Sequence, residues 1–415
     1  MGVLAADPAC AILAPMNDIG DERQRHSVAD YAAQAKRYEQ SGDVQAAMRS
    51  YLIATHLQML LLNSNDAAAC FQLGMMFGQA GEEDRAQAAF KAALVLEPRH
   101  AEAWANFGVL RGESAPLRHA VSLAPGRAEF HTNLAHALLG EGRLAEGFHE
   151  WEWRQPSPPR TFAQPRWDGG AYAGKTLLIH AEQGFGDCIL FGRYLPLAAQ
   201  LGGKLLIEMR APLAGPIARL AADAEIVLWG APLPPFDLHL PLPSLAHLFH
   251  GRETPSPYLS ADPARIEAWR DRLTAPGRRR VGLVWACNPN AAEQRRSIPF
   301  PLIEKLIADH PGIAFFGLQR EGNDRCEGMT PLGPDIGDFE DFAAILASLD
   351  LVISVDTAAA HLAGALGRAA WIPLREKPDW RWRGDWYPSA KLYRQDKDGD
   401  WAGVLAKVSE DLGHL

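Results

Sequence analysis

The spacing of apolar residues changes once along the chain, at the proline-rich join "QPSPPRTFAQPRWDGG" over residues 155–170. Before the join, apolar and small residues recur three and four positions apart, which predicts a run of amphipathic helices. After it, short apolar runs alternate with amphipathic segments, which predicts a parallel α/β architecture. The runs "KTLLIHA", "KLLIEM", "AEIVLWG" and "DLHLPL" read as strands of a first α/β unit, and "RVGLVWA", "IAFFGLQ", "LVISVD", "AAWIPL" and "KLYRQ" as strands of a second. Two facing Rossmann-like units bind ligands in the cleft at the carboxyl ends of their strands.

The helical half is repetitive. Residues 67–100 fit a 34-residue tetratricopeptide pattern, with Leu73, Gly74, Phe77, Gly81, Ala86, Phe90, Ala93 and Pro98 all in register. Small residues at Gly74 and Ala86 let two helices approach while Phe77 and Phe90 fill the space between them. An earlier copy runs through Ala35, Tyr38, Gly42, Ala47, Tyr51 and Ala54, its Gly42 lying 39 residues before Gly81, so its second helix is expected to be extended. A later copy has Trp104, Phe107, Gly108, Ala120 and Pro125, and Leu134, Ala135, Leu138 and Gly142 open a fourth that ends in "FHEWEWR". Such an array either holds a peptide or protein partner or props the domain behind it. Trp151 and Trp153 are expected to cap it. The expected organisation is a tail over 1–26, repeats over 27–155, a linker over 156–172, and α/β domains over 173–262 and 263–415.

Chemistry concentrates at "HAEQGFGDCILFGRYLP", residues 180–196, where a strand runs through a glycine turn into a helix. Gly184 and Gly186 fit a dinucleotide fingerprint, but Ile189 stands at the third glycine, although Glu208 lies near the distance of the ribose-binding acid. Asp187 stands where a pyrophosphate would collect backbone N–H groups, and a carboxylate there repels phosphate, which rejects the dinucleotide reading. Asp187 is then either the N-cap of the helix or a general base at the mouth of the cleft. Phosphates fit "ISVDTAAAHLAGALG" better: Ala358, Ala359 and Ala360 leave a helix N-terminus open, the Thr357 hydroxyl adds a donor, and His361 lies one turn on. Asp356 caps that helix or holds a sugar hydroxyl, and His361 is either a ligand or a core histidine. The loop "NPNAAEQRRSIPF" brings Arg295, Arg296 and Ser297 to the rim, an arginine fork suited to a diphosphate or a solvated basic face. Asp396 and Asp398 form a D-x-D pair, but Asp400 reads as the N-cap of the next helix and the EF-hand positions hold Trp401 and Lys407, so no metal is expected.

Composition narrows the class. A net charge of -9 excludes a protein that coats a duplex, since no basic excess neutralises its phosphates. Cys10, Cys70, Cys188, Cys287 and Cys326 show no CxxC or paired spacing, so neither a disulfide framework nor a zinc site is expected. The N-terminus lacks a basic signal-peptide region and no run of about 18 apolar residues occurs, which predicts a cytoplasmic protein with no transmembrane segment.

Taken together, "HAEQGFGDCILFGRYLP", "VGLVWACNP", "RRSIPF", "DLVISVDTAAAHLAGALG" and "PDWRWRGDWYPSAKLYRQ" resemble successive motifs of bacterial tetratricopeptide-repeat proteins with a heptosyltransferase-like domain of glycosyltransferase family 9. The resemblance covers nearly the whole chain beyond residue 30. It implies an N-terminal α-solenoid followed by a GT-B fold of two Rossmann-like domains, a nucleotide-sugar donor held mainly by the C-terminal one, and no obligatory metal or other cofactor. It implies that Asp187 deprotonates the acceptor hydroxyl, that Ser297, Asp356, Thr357, Ala358 and His361 contact the donor, and that Arg296 neutralises the leaving diphosphate. Gln183, Gly184, Gly186, Trp285, Asn288, Gln319, Trp380 and Trp382 are then candidate sugar or base contacts. Likeness to tetratricopeptide-linked O-GlcNAc transferases adds a polypeptide to the glycan acceptors. A scaffold or nucleotide-sugar sensor without turnover is the competing expectation. Two departures stand out: arginine replaces the lysine of the basic loop, and Ala358 replaces a glycine. Arg375, Glu376 and Lys377 also put charge where an apolar loop is expected.

Overall fold

The computed structural model describes residues 28–41, 43–62, 66–155, 160–287, 294–322, 324–382 and 386–414. The chain divides into two compact units, Met1–Arg154 and Gln155–Leu415.

The first unit is helical: α1 (Val28–Ser41), α2 (Val44–Leu62), α3 (Ala67–Gln79), α4 (Glu83–Leu96), α5 (Ala101–Arg111), α6 (Ser114–Leu123), α7 (Ala128–Gly140) and α8 (Leu144–Trp151). Each odd-numbered helix packs most closely on the next, and the pairs then stack in chain order. Asp66 starts α3 by accepting the Ala69 N–H at 3.0 Å. The α3–α4 contact depends on Gly74: a Cβ there would lie 2.5 Å from the Phe90 ring, so only a bare backbone admits that ring. The 39-residue spacing of the first copy is taken up by α2, 19 residues long, whereas α5 and α6 run only 11 and 10. Trp151 is buried, and Trp153 lies over the His131 ring with centroids 4.1 Å apart. His131 in turn contacts Glu150 and the Pro125 carbonyl, so the last pair closes on itself.

The second unit holds two all-parallel sheets. β1 (Thr176–His180), β2 (Lys204–Met209), β3 (Glu225–Leu228) and β4 (Leu238–Pro241) take the order β3-β2-β1-β4. β5 (Arg280–Val284), β6 (Ala314–Gly317), β7 (Met329–Pro331), β8 (Leu351–Ser354), β9 (Ala370–Leu374) and β10 (Ala390–Arg394) take the order β10-β9-β8-β5-β6-β7. Several of these strands are buried along nearly their whole length, as sheets covered on both faces require. The strand order reverses between β1 and β4 in one sheet and between β5 and β8 in the other, and at such a reversal the flanking loops part to leave a crevice beyond the strand ends. The helices that matter are α9 (Phe185–Gly192) after β1, α15 (Phe339–Ser348) before β8, α16 (Ala358–Ala365) after β8 and α17 (Trp401–Leu412) after β10. Between α9 and α15 lie α10 (Leu195–Ala199), α11 (Ala211–Ala218), α12 (Leu245–Phe249), α13 (Pro263–Trp269) and α14 (Phe300–Asp309).

Part of the segment read as a linker belongs to the first sheet. The Trp167 N–H donates to the His239 carbonyl at 2.9 Å and the His239 N–H donates to that of Pro165 at 3.2 Å. No helix among the described residues is long and apolar enough to cross a membrane.

Candidate functional site

Both sheets send their switch-point elements to the same place. After β1 the chain passes through Gln183, whose φ of 68° is rare for a residue with a side chain, and enters α9 at Gly184. Gly184 is the N-cap, which corrects the reading of Asp187 in that role. Asp187 stands three residues later and reaches back, its Oδ2 accepting the Gly184 N–H at 3.3 Å. Gly186 faces the second sheet's α16: a Cβ there would lie 2.9 Å from His361 Cδ2 and 3.8 Å from Ala358 Cα. The glycine therefore admits the start of α16 directly against the turn that carries Asp187.

The other oxygen of Asp187 is held by a residue that the sequence reading passed over. Arg381 donates to Oδ1 through Nη2 at 2.6 Å and Nε at 2.9 Å. The same guanidinium bonds Asp379 Oδ1 through Nη1 at 2.8 Å and lies 4.4 Å from the Trp380 ring. Burial works against this charge, but Asp187 and Asp379 more than offset it, and the Arg381 pKa rises above the ordinary arginine value. Its signal in the sequence is the D-x-R spacing within "PDWRW", flanked by two tryptophans.

His361 is enclosed. Its ring stacks on Trp382, its Nδ1 lies 3.0 Å from the Tyr387 hydroxyl, and burial with the nearby Arg381 charge pushes its pKa down to about 4. It is neutral at ordinary pH. The neighbouring seam is aromatic and cationic. Arg193, at the end of α9, lies 4.8 Å from the Tyr258 ring and 5.1 Å from both Trp386 and Tyr387, and donates to the Trp386 carbonyl at 3.1 Å. Tyr258 adds a bond to the Ile189 carbonyl at 2.9 Å.

On the second sheet, Thr357 rather than Asp356 caps α16, its Oγ1 accepting the Ala359 N–H at 3.3 Å. The hydroxyl expected to donate to a phosphate accepts from the helix and lies 3.1 Å from Ser354 Oγ, and because the Ala360 N–H donates to the Thr357 carbonyl at 3.1 Å, two of the three N–H groups expected to be open are taken. Asp356 instead pairs with Arg296, whose Nη1 lies 3.1 Å from Oδ2 and 3.3 Å from the Asp356 carbonyl. Ser297 accepts the Cys287 N–H at 3.1 Å and Gln319 the Ala286 N–H at 3.1 Å, so both shape the chain leaving β5. Gln183 is exposed, its amide donating to Glu182.

Three tryptophans proposed as sugar or base contacts are core residues. Trp285 is buried against Phe300 and donates to Asp324, Trp380 lies under Arg381, and Trp382 stacks on His361. Asn288 lies outside the described residues. Glu208 is buried and paired with Arg160, so it cannot serve a ribose. Arg375 and Asp398 pair at 2.9 Å, Asp396 pairs with Lys407, and Asp400 caps α17. Among the described residues no three His, Cys, Asp or Glu side chains gather as a metal cluster.

No family profile matches the chain. It is 29% identical over 408 residues to Protein FlbA of Caulobacter vibrioides, covering 85% of this chain and 68% of that protein. Among solved structures, it is similar to E. coli ADP-heptose LPS heptosyltransferase II at 11% identity, with 58% of this chain and 98% of the other superposed and a TM-score of 0.42. A mutant O-GlcNAc transferase of Thermobaculum terrenum matches at 16% identity over 99% of this chain and 92% of its own, with a TM-score of 0.31.

Proposed function

We propose that the chain is a glycosyltransferase that moves a sugar from a nucleoside-diphosphate sugar to a hydroxyl of a protein or glycan without a metal ion. The observation that carries this reading is the meeting of the Asp187 turn with the first turn of α16 at Gly186 and Ala358. A proton acceptor from one sheet and a phosphate-binding helix start from the other thereby share one locus, as transfer between two bound substrates requires.

In this reading the acceptor oxygen attacks the anomeric carbon, its proton passes to Asp187, and the bond to the diphosphate breaks. Negative charge grows on the departing phosphates, and Arg296 with the N-terminus of α16 stabilises it. The helices α1–α8 act as a tetratricopeptide array that recruits the acceptor or a partner, and the protein works in the cytoplasm. One observation favours a sensor without turnover instead: Oδ1 of Asp187 is already occupied by Arg381.

The test begins with nucleoside diphosphates and their sugars in a thermal-shift panel, where a ligand at 100 times its Kd adds roughly 2.7 kcal/mol. Transfer is then measured with the donor so found. Asp187→Asn is expected to bind the donor at least as tightly as wild type and lose transfer by about 10²- to 10⁴-fold. Full transfer by that variant removes Asp187 as the base, and donor binding by wild type without transfer to any hydroxyl supports the sensor.

A further inference from the structure

Arg381 belongs to the second sheet's half of the site and Asp187 to the first. The arginine is placed by its own neighbourhood: Asp379 Oδ1 accepts both its backbone N–H at 2.9 Å and its Nη1 at 2.8 Å, and Trp380 lies under the guanidinium. From that anchor it reaches across to Asp187 with two N–H groups on one oxygen. The side chains are only 15% and 14% exposed, so little water competes for either.

This pairing conflicts with the role given to Asp187. The two Arg381 N–H groups close Oδ1 to an acceptor hydroxyl, and the Gly184 N–H takes one of the two lone pairs on Oδ2, so a single lone pair of the carboxylate is left for an acceptor proton. The conflict resolves if a stronger anion draws the guanidinium away. The α16 start touches the Asp187 turn, and Trp382, the neighbour of Arg381, stacks on His361 of α16 with centroids 4.7 Å apart, so a diphosphate seated there lies near the guanidinium. It carries more charge than one carboxylate and matches the arginine fork.

Resting on the donor reading above, we propose that Arg381 is a switching residue shared between Asp187 and the donor diphosphate: it covers Asp187 until the diphosphate binds, then moves onto the phosphates and uncovers the base. The donor consequently binds before the acceptor becomes reactive. Arg296 differs in that its carboxylate, Asp356, comes from the same sheet and leaves Asp187 untouched.

Calorimetric titration of the full chain with ADP, GDP, UDP and CDP tests this. Competition for one arginine makes the two sites reciprocal, so Asp187→Asn is expected to tighten the favoured diphosphate about 5-fold or more. Arg381→Gln weakens it, and Asp187→Asn added to Arg381→Gln then gains nothing. An equal gain on both backgrounds overturns the proposal, because Asp187 would then act on the anion by plain repulsion; so does no gain on either. If Arg381→Gln does not fold, Arg381→Lys replaces it: lysine is a point donor, so the gain shrinks, and an undiminished gain overturns the proposal. Failure of the donor reading has a different signature, since none of the four diphosphates then binds wild type or any variant.

Discussion

His361 lies against Trp382 with ring centroids 4.7 Å apart and planes inclined by 27°, while its Nδ1 meets the hydroxyl of Tyr387 at 3.0 Å. The ring is closed in by groups from both sheets, since Gly186 of α9 abuts its Cδ2 edge. A histidine expected to touch the donor is instead a packed element that holds the two switch-point loops together.

Stability should therefore depend on pH in part through this ring. Burial lowers the folded pKa from 6.5 to about 4, with Arg381 and Arg193 lowering it further and Asp187 and Asp379 raising it. A depressed histidine pKa means that the unfolded chain takes up a proton as pH falls below 6.5, while the folded chain does so only near 4. The contribution is complete above the upper value and lost on descending to the lower, by up to about 3 kcal/mol. Urea unfolding at about pH 7 and about pH 4.5 measures it, and His361→Gln should show a correspondingly flatter dependence. Equal pH slopes in the two proteins would show that the ring is not held neutral.

Gly186 makes a second prediction. Its replacement by alanine puts a methyl 2.9 Å from His361, in a contact formed by backbone on one side and a stacked ring on the other. Neither yields cheaply, so Gly186→Ala is expected to destabilise by about 1–3 kcal/mol and to weaken nucleoside diphosphate binding by moving α9 off α16. Chemical denaturation and calorimetry report the two effects. A variant as stable as wild type would mean that the two elements are not in fixed contact.

The first unit allows an independent test of its packing. Gly74→Ala sets a methyl 2.5 Å from the Phe90 ring, again a cost of about 1–3 kcal/mol. Phe90→Leu leaves room for that methyl, so the two changes together should cost less than their sum, and the cycle is read from unfolding midpoints. Strict additivity would place the Phe90 ring elsewhere.

Much of this arrangement is legible in the amino-acid order, because hydrophobic period and glycine position are local signals. Eight of the nine apolar runs contain a whole strand and "KLYRQ" holds all of β10 but Ala390, while β7 escaped because Met329–Pro331 is too short to show a period. The Gly74–Phe90 approach follows from repeat register alone. What local signals cannot give is the partner of a polar group. Thr357 outcompeted Asp356 for the α16 cap because Arg296, 60 residues earlier in the chain, drew the aspartate away. Tryptophans are equally ambiguous: Trp285, Trp380 and Trp382 carry the composition of a stacking site, and only the fold reveals that their faces are covered. The D-x-R spacing around Arg381 marks its local anchor at Asp379 but not its role, since the partner that gives it one, Asp187, lies 194 residues away.

Arg296 yields the most direct test of where phosphates bind. Its guanidinium is about a third exposed while Asp356 is nearly covered, so the cation is the accessible member of the pair. If phosphates bind as proposed, replacing it with alanine removes a charge-assisted donor to the diphosphate, worth about 1.5–3 kcal/mol, or roughly 10- to 150-fold in Kd. It also leaves Asp356 without its countercharge beside the same phosphates, which adds to the loss. Arg296→Lys keeps the charge without the fork and should fall between alanine and wild type. Asp356→Asn separates the two contributions: if the carboxylate merely repels the ligand once uncovered, Arg296→Ala combined with Asp356→Asn recovers part of the affinity. Calorimetry with the favoured diphosphate decides it, and an Arg296→Ala protein that binds as tightly as wild type would move the phosphate site away from the start of α16.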